Sequence, residues 1–284
     1  MALESHNAMI FSINYLWRLV ATALGFILFG IMGLLIPWVI GPWLYWRYSD
    51  QQQRQQQARA FIHRSFRWYI HALRWLGVVT WDIRHAERLQ RPGLLVLANH
   101  PCLLDVAFLM AFIPNPNCIV KERLFSNPFM RGYLRLTGFI ANNEAVGLIE
   151  DARASIASGS SLVIFPEGTR TAPGEPLYFQ RGAANVALRA QVRITPVTIV
   201  CTPLTLTKKH RWYHIPQRKP HISLLVGEDI SLVDYYQQPV AGAARTLTRD
   251  LQLYFTEELK NHERDIHRRF GAGVETADYR HIGP

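Results

Sequence analysis

The chain has 284 residues, of which 49% are hydrophobic and 18% are charged. That length allows one large domain or two small ones, and this composition excludes a disordered chain. The three cysteines lack CxxC spacing, which argues against a disulfide scaffold or a zinc ribbon and favours a reducing compartment. The net charge is +10, and because residues 1–50 sum to zero, all of the excess lies in residues 51–284. Such an excess favours an acidic partner: anionic lipid, an acidic carrier protein, a phosphorylated substrate or nucleic acid.

The first fifty residues have the pattern of a membrane segment. Residues 19–46 contain no charge. A spanning helix needs roughly 20 such residues, whereas the apolar region of a cleaved secretory signal is shorter. We therefore predict that residues 1–50 form a retained membrane segment. Pro37, Gly41 and Pro42 interrupt the helical pattern, so a clean span and a re-entrant segment both remain open.

Residues 51–90 are predicted to hold a polar linker or helix entry, residues 51–57, followed by an amphipathic helix over residues 58–76. One stripe of that helix is basic, because its members are three or four positions apart: Arg64, Arg67, His71 and Arg74. The helix is predicted either to lie at the membrane interface or to pack on the protein as an ordinary surface helix. Positive charge next to a span marks the cytoplasmic side. We therefore expect the protein on the cytoplasmic face of the inner membrane.

The remainder, residues 91–284, alternates short apolar strands with helices, which predicts an α/β domain with a mixed, mostly covered sheet flanked by helices. The predicted strands are residues 94–99, 118–121, 161–165, 193–201 and 221–227. The predicted helices are residues 103–112, 144–157, 181–190 and, at the C-terminal end, 241–266.

A histidine and an aspartate follow the first strand of this domain. Pro101 pushes His100 out of the helical region and suits the first position of a helix, so Asp105 in the early helix folds back toward the His100 ring. An aspartate on one ring nitrogen fixes the tautomer and leaves the other nitrogen as a general base. Taken alone, the pair has a structural interpretation as well as a catalytic one.

A second polar block, residues 165–170, directly follows the strand at 161–165. Its glycine turn presents backbone N–H groups, Thr169 adds a hydroxyl, and Arg170 adds a planar guanidinium suited to phosphate or carboxylate. The alternative is a plain turn with a surface arginine.

Together the two blocks resemble the glycerolipid (lysophospholipid or 1-acylglycerol-3-phosphate) O-acyltransferase family, which carries an NHxxxxD block and an FPEGTR block. Both stand unaltered here, at residues 99–105 and 165–170. The family's intermediate block is similar to residues 121–132, and its last block to residues 194–197. The resemblance covers roughly residues 90–230, in the family's order.

The resemblance implies transfer of an acyl chain from a thioester to the hydroxyl of a lysophospholipid such as lysophosphatidic acid. His100 is then the general base and Asp105 its orienter, without an acyl-enzyme, and Cys102 is a packed small residue rather than a nucleophile. No metal or cofactor is implied, because acyl-CoA or an acyl carrier protein thioester is a co-substrate. The resemblance implies substrate contacts at Asn99, Lys121, Glu167, Gly168, Thr169, Arg170 and Arg181.

Two positions depart from the family pattern. By counting, Glu144 occupies the place of an arginine that helps to hold the acceptor phosphate, and a carboxylate there repels phosphate. Gln180 precedes Arg181 where the family often has lysine before glycine. Arg181, Arg170 and Lys121 are candidates to compensate. The alternative is the same chemistry on a non-phosphatidic acceptor in a specialised lipid or polyene pathway.

A basic segment with interleaved aromatics, residues 208–219, is a candidate to dock an acyl carrier protein or anionic headgroups, or else a solvated loop. Binding to nucleic acid would explain the charge but not the apolar front or the paired blocks. A non-catalytic membrane scaffold would make the two blocks accidental. We therefore expect a lipid acceptor, an acyl donor and membrane lipids as partners, and no nucleic acid.

Overall fold

The computed structural model describes residues 2–142, 145–172, 174–237 and 239–270. The helices are α1 (Ala2–Leu35), α2 (Gly41–Arg47), α3 (Gln51–Trp75), α4 (Asp105–Phe112), α5 (Arg131–Thr137), α6 (Ala145–Ala157), α7 (Arg181–Ala190) and α8 (Val240–Phe270). The strands are β1 (Thr80–Arg84), β2 (Leu95–Ala98), β3 (Pro116–Lys121), β4 (Ile140–Asn142), β5 (Ser161–Ile164), β6 (Ile194–Thr202) and β7 (His221–Val226).

Within the described residues, seven strands form one sheet in the order β1-β7-β6-β2-β5-β3-β4. Neighbouring strands are parallel except β6 and β7, which are antiparallel. The predicted mixed α/β sheet is therefore confirmed. Because β2 and β5 are parallel neighbours, the residues that follow each of them emerge at the same edge of the sheet.

Both faces of the sheet are covered, which explains why its central strand β2 is apolar throughout. In β2, Val96 and Ala98 belong to a core built with α3, α4 and α5, whereas Leu95 and Leu97 belong to a core built with α6, α7 and α8. Successive side chains of a strand point to opposite faces, so a strand buried on both faces has no polar alternation.

The apolar front is one helical path rather than a broken one. A π-helical turn, Ile36–Ile40, joins α1 to α2 and takes up the interruption at Pro37, which has no N–H to donate. The segment Ile13–Arg47 is long and apolar enough to cross a membrane, and only 22% of its most apolar stretch is buried. One side of α1 packs on the domain, whereas Leu24, Ile27 and Ile31 on another side are exposed.

Residues 51–57, predicted as a linker or helix entry, are the first turns of α3, and the Asp50 carboxylate caps the helix by accepting from the Gln53 amide at 2.7 Å. The predicted basic stripe of this helix is exposed. Unlike that stripe, Arg59 of the same helix is buried, with only 3% of it exposed. Its guanidinium donates to Asn115 Oδ1 and to the Thr137 carbonyl, both at 2.8 Å.

The sequence patterns did not predict β1, β4 and α5. The half-buried edge strand β1 mixes Asp82 and Arg84 with apolar residues and pairs with β7. The sheet therefore starts before residue 91, where the sequence suggested that the catalytic domain begins. The short helix α5 is followed by Gly138, whose φ of +66° suits glycine.

Candidate active site

The two blocks singled out in the sequence lie side by side at the carboxyl edge of the sheet. His100 follows β2, Asp105 is the first residue of α4, and residues 165–170 follow β5. The pairing of β2 with β5 places these loops together. Their meeting therefore follows from the order of the strands.

His100 and Asp105 form a hydrogen-bonded pair. The His100 Nδ1 atom lies 2.9 Å from Asp105 Oδ2, although the two residues are five apart in sequence. Asp105 is fully buried, and the side chain of His100 is 14% exposed. With Nδ1–H donating to the carboxylate, Nε2 is the ring nitrogen that is left to take up a proton.

Phe165 holds the imidazole from its flat side. The two rings stack with their centroids 4.3 Å apart and an interplanar angle of 27°. Sequence reasoning assigned no role to this side chain, although Phe165 opens the second block. The contact restricts rotation of the His100 ring and leaves its edge for proton transfer.

The buried carboxyl of Glu167 links the two blocks through hydrogen bonds. Glu167 is 6% exposed, and its Oε1 accepts from the backbone amide of His100 at 2.8 Å. Its Oε2 accepts from the Thr171 hydroxyl, and the Thr171 amide donates to the His100 carbonyl at 3.2 Å. Burial raises the pKa of Glu167 to about 8, and the nearby Asp105 charge adds to that rise. The role in holding a headgroup that the resemblance implied for Glu167 therefore has no support in this position.

Asn99 and Arg181, two more of the residues expected to bind substrate, also lie elsewhere. Asn99 is buried, and its amide exchanges two hydrogen bonds with the backbone of Ile199 in β6, at 2.8 and 2.7 Å. These bonds fix the end of β2, from which His100 starts. Arg181 is exposed at the first position of α7.

Lys121, Gly168, Thr169 and Arg170 lie on the wall of a cavity that includes His100. The guanidinium of Arg170 donates from Nη1 to the Leu206 carbonyl at 2.7 Å, which anchors it to the segment after β6. Gly168 has a φ of +67°, so the turn of the second block depends on glycine there.

The cavity has a volume of about 610 Å³ and is mostly apolar. Its apolar wall comes from α1, α3, α4 and α5 and includes Phe26, Phe29, Met32, Phe66 and Ala107. Positive charge reaches its wall at Lys121, Arg123 and Arg170 among the described residues. The cavity therefore combines an apolar chamber, a histidine with an orienting carboxylate, and cationic side chains.

Sequence reasoning missed the part that α1 plays in this cavity, because it treated the front only as an anchor. The signal lay in its glycines. A Cβ atom on Gly25 would come within 2.8 Å of Leu73 Cδ2, and one on Gly33 within 2.8 Å of the Phe129 carbonyl oxygen. Glycines at these positions let α1 approach the domain closely.

Gln180 also lines the cavity, so its position adds no positive charge to the cavity wall. The predicted conflict at Glu144 lies outside the described residues.

Comparison with known proteins points to one family. Residues 81–200 match the model of the family described as Acyltransferase. The chain is 35% identical over 113 residues to a 1-acyl-sn-glycerol-3-phosphate acyltransferase of Helicobacter pylori, covering 37% of this chain and 48% of that protein. It is 31% identical over 142 residues to 1-acyl-sn-glycerol-3-phosphate acyltransferase beta of Homo sapiens, covering 46% of this chain and 50% of that protein. The chain thus spans about half the length of these curated relatives.

A solved structure shows the same fold. The crystal structure of the 1-acyl-sn-glycerophosphate (LPA) acyltransferase PlsC from Thermotoga maritima superposes with a TM-score of 0.58 at 18% identity. The match covers 87% of this chain and 98% of that one. At this identity the likeness concerns the fold alone.

Proposed function

We propose that this chain, whose residues 81–200 match the Acyltransferase family model, transfers a fatty acyl chain from an acyl thioester to the free hydroxyl of lysophosphatidic acid. The observation that carries this proposal is the His100–Asp105 pair on the wall of an apolar cavity that also bears Lys121, Arg123 and Arg170. The apolar chamber suits the acyl chain, the His100–Asp105 pair supplies a base for the acceptor hydroxyl, and the cationic side chains suit the acceptor phosphate.

In the proposed reaction, His100 Nε2 takes the proton from the acceptor hydroxyl as its oxygen attacks the thioester carbonyl. The C–O bond forms, the C–S bond breaks, and the proton passes from His100 to the leaving thiolate. Asp105 stabilises the imidazolium that exists between these steps. A thioester is already activated, so positioning and a base are sufficient, and no acyl-enzyme is required.

The cationic side chains fit the phosphate of the acceptor. Lys121 ends β3 and Arg170 follows β5, so both lie at the sheet edge where His100 emerges. Arg170 is held in place by the carbonyl of Leu206, which reduces the entropy lost when it binds an anion. We assign these two residues, together with the Gly168 turn, to the acceptor headgroup.

For location, we propose that α1 to α3 lie in one leaflet of the inner membrane with the catalytic domain on the cytoplasmic side. One side of α1 lines the cavity while another exposes leucine and isoleucine, which fits a helix lying along the membrane surface better than one crossing away from the domain. Trp68 and Trp75 of α3 are 58% and 87% exposed beside the basic stripe, as in an interfacial belt. This arrangement favours the re-entrant alternative over the clean span.

The second candidate is the same chemistry on an acceptor without a phosphomonoester. Gln180, rather than a basic residue, lines the cavity, which removes one cation from a phosphate site. This alternative retains the roles of His100 and Asp105.

A panel of acceptors separates the two. The purified protein in detergent is given a labelled long-chain acyl thioester, as coenzyme A and as carrier-protein donor in parallel. The acceptors are lysophosphatidic acid, monoacylglycerol and lysophosphatidylethanolamine. We expect lysophosphatidic acid to be the best acceptor by kcat/KM. A preference for an acceptor without a phosphomonoester would replace the first candidate by the second, and transfer to none of them would refute both.

A further inference from the structure

The carboxylate that orients His100 has a second partner, Cys102. The Cys102 amide donates to Asp105 Oδ2 at 2.8 Å, and its Sγ donates to Asp105 Oδ1 at 2.9 Å. His100 Nδ1 shares Oδ2, at 2.9 Å. Among the described residues, the thiol of Cys102 is thus the donor to Oδ1, the oxygen that His100 does not reach.

Because Asp105 is buried, the hydrogen bond from the Cys102 thiol affects whether its carboxylate stays ionised. Asp105 and Cys102 are both fully buried, so water does not replace a missing hydrogen bond. A buried carboxylate keeps its charge only when donors surround it, and each lost donor favours the protonated form. Only the ionised carboxylate stabilises an imidazolium on His100.

Cys102 is suited to donate and unsuited to attack. Burial, the neighbouring Cys201 thiol and the Asp105 charge all raise the pKa of the Cys102 thiol well above its ordinary value. The thiol therefore keeps its proton at neutral pH, which a donor needs and a nucleophile does not.

We propose that Cys102 is a positioning residue, whose thiol holds Asp105 Oδ1 and thereby keeps the carboxylate ionised and aligned on His100. The inference deepens the proposed acyl transfer and rests on it for its kinetic consequence. Its structural consequence, the proton affinity of the pair, is independent of the reaction.

Other titratable groups face the pair and remain unchanged in the three Cys102 variants used below. Glu167, from the loop after β5, accepts from the His100 amide. Cys201, from β6, adjoins the Cys102 thiol. Arg170 and Lys121 share the cavity wall with His100. Differences between the variants therefore report the contact between Cys102 and Asp105.

Four variants isolate the thiol donor. Cys102→Ser keeps a hydroxyl donor, Cys102→Ala removes the donor, and Cys102→Val removes it while retaining apolar volume should the alanine variant fold poorly. Cys201→Ala is the matched control, because it deletes a neighbouring buried thiol that contacts the Cys102 thiol and the Pro203 carbonyl, the latter at 3.7 Å, but does not bond to Asp105.

The kinetic test measures acyl transfer against pH. We expect kcat to fall by about tenfold in the alanine and valine variants with KM unchanged, since a hydrogen bond to a buried charge is lost. The pH below which kcat/KM declines should rise, because a carboxylate that has lost a donor makes the pair take up a proton more readily. Cys102→Ser and Cys201→Ala should keep the wild-type profile.

The second test needs no substrate. The His100 ring proton on Cε1 is followed by NMR against pH, in the full chain in detergent micelles. We expect its titration midpoint to move to higher pH in Cys102→Ala and Cys102→Val, and to stay in Cys102→Ser and Cys201→Ala. A midpoint unchanged in the first two, or moved equally in Cys201→Ala, would overturn the proposal. Wild-type protein that transfers no acyl chain yet shows the expected midpoints would refute the proposed function while supporting this one.

Discussion

Glu167 offers the sharpest test of how the two blocks are held together. Its pKa of about 8 lies above the ordinary value of 4.5, mainly because the carboxyl is buried. The folded protein therefore keeps a proton at neutral pH that the unfolded chain releases. The contribution to stability is fully present below pH 4.5 and is lost as the pH rises through 8. Glu167→Gln keeps the shape, can accept from the His100 amide and donate to Thr171, and no longer titrates.

The size of the effect follows from the two pKa values. From pH 6 to pH 8, the wild type should lose about 2 kcal/mol of unfolding free energy relative to Glu167→Gln. For a chain of this size, that difference corresponds to roughly 4–8 °C in the midpoint of thermal unfolding.

The assay is thermal unfolding followed by circular dichroism in detergent, for both proteins at pH 6, 7 and 8. The matched control is Glu257→Gln, which makes the same change at an exposed position of α8 and should show a difference independent of pH. A difference between wild type and Glu167→Gln that stays constant from pH 6 to pH 8 would refute the reasoning that Glu167 is protonated in the folded state.

Three further predictions concern other parts of the fold. Burial lowers the pKa of His262 to about 4, so acid should destabilise the wild type below pH 6.5, by about 2 kcal/mol at pH 5. His262→Gln should not show this loss of stability between pH 7 and pH 5 in denaturant titrations. Arg59→Met leaves Asn115 and the Thr137 carbonyl without their buried donor and should lower the free energy of unfolding in urea by about 2 kcal/mol. A decrease of less than about 0.5 kcal/mol would contradict a stabilising role for these buried hydrogen bonds. Ala107→Phe fills the cavity wall and should lower kcat/KM for long acyl chains about tenfold more than for short ones, whereas equal loss for both would show that the chain binds elsewhere.

The local patterns predicted much of the fold and the approach of Asp105 to the His100 ring. The helix over residues 181–190 begins and ends where predicted, and the apolar runs around β2 and β5 gave strands followed by the His100 and Phe165 blocks. Each of these features depends on short-range periodicity or on a proline, and both are visible in a few consecutive residues.

What the sequence did not show depends on contacts between distant residues. Arg59 looked like any other arginine beside an apolar run, and its burial is decided by Asn115 and by the end of α5. Glu167 looked like part of a binding loop, and only the position of the His100 amide reveals it as a link between the blocks. The apolar front looked like an anchor alone, and the cavity behind it appears only when α3 and α4 are placed.

The most direct measurement of the central claim is phosphatidic acid formation from lysophosphatidic acid and a labelled acyl thioester. It compares wild type, His100→Ala and the control His85→Asn. The side chain of His85 is 50% exposed, and asparagine tolerates the φ of +59° at that position. We predict robust transfer by wild type and the control, and a loss of at least about 100-fold in His100→Ala. Transfer by His100→Ala within tenfold of wild type would contradict the role of His100 as general base.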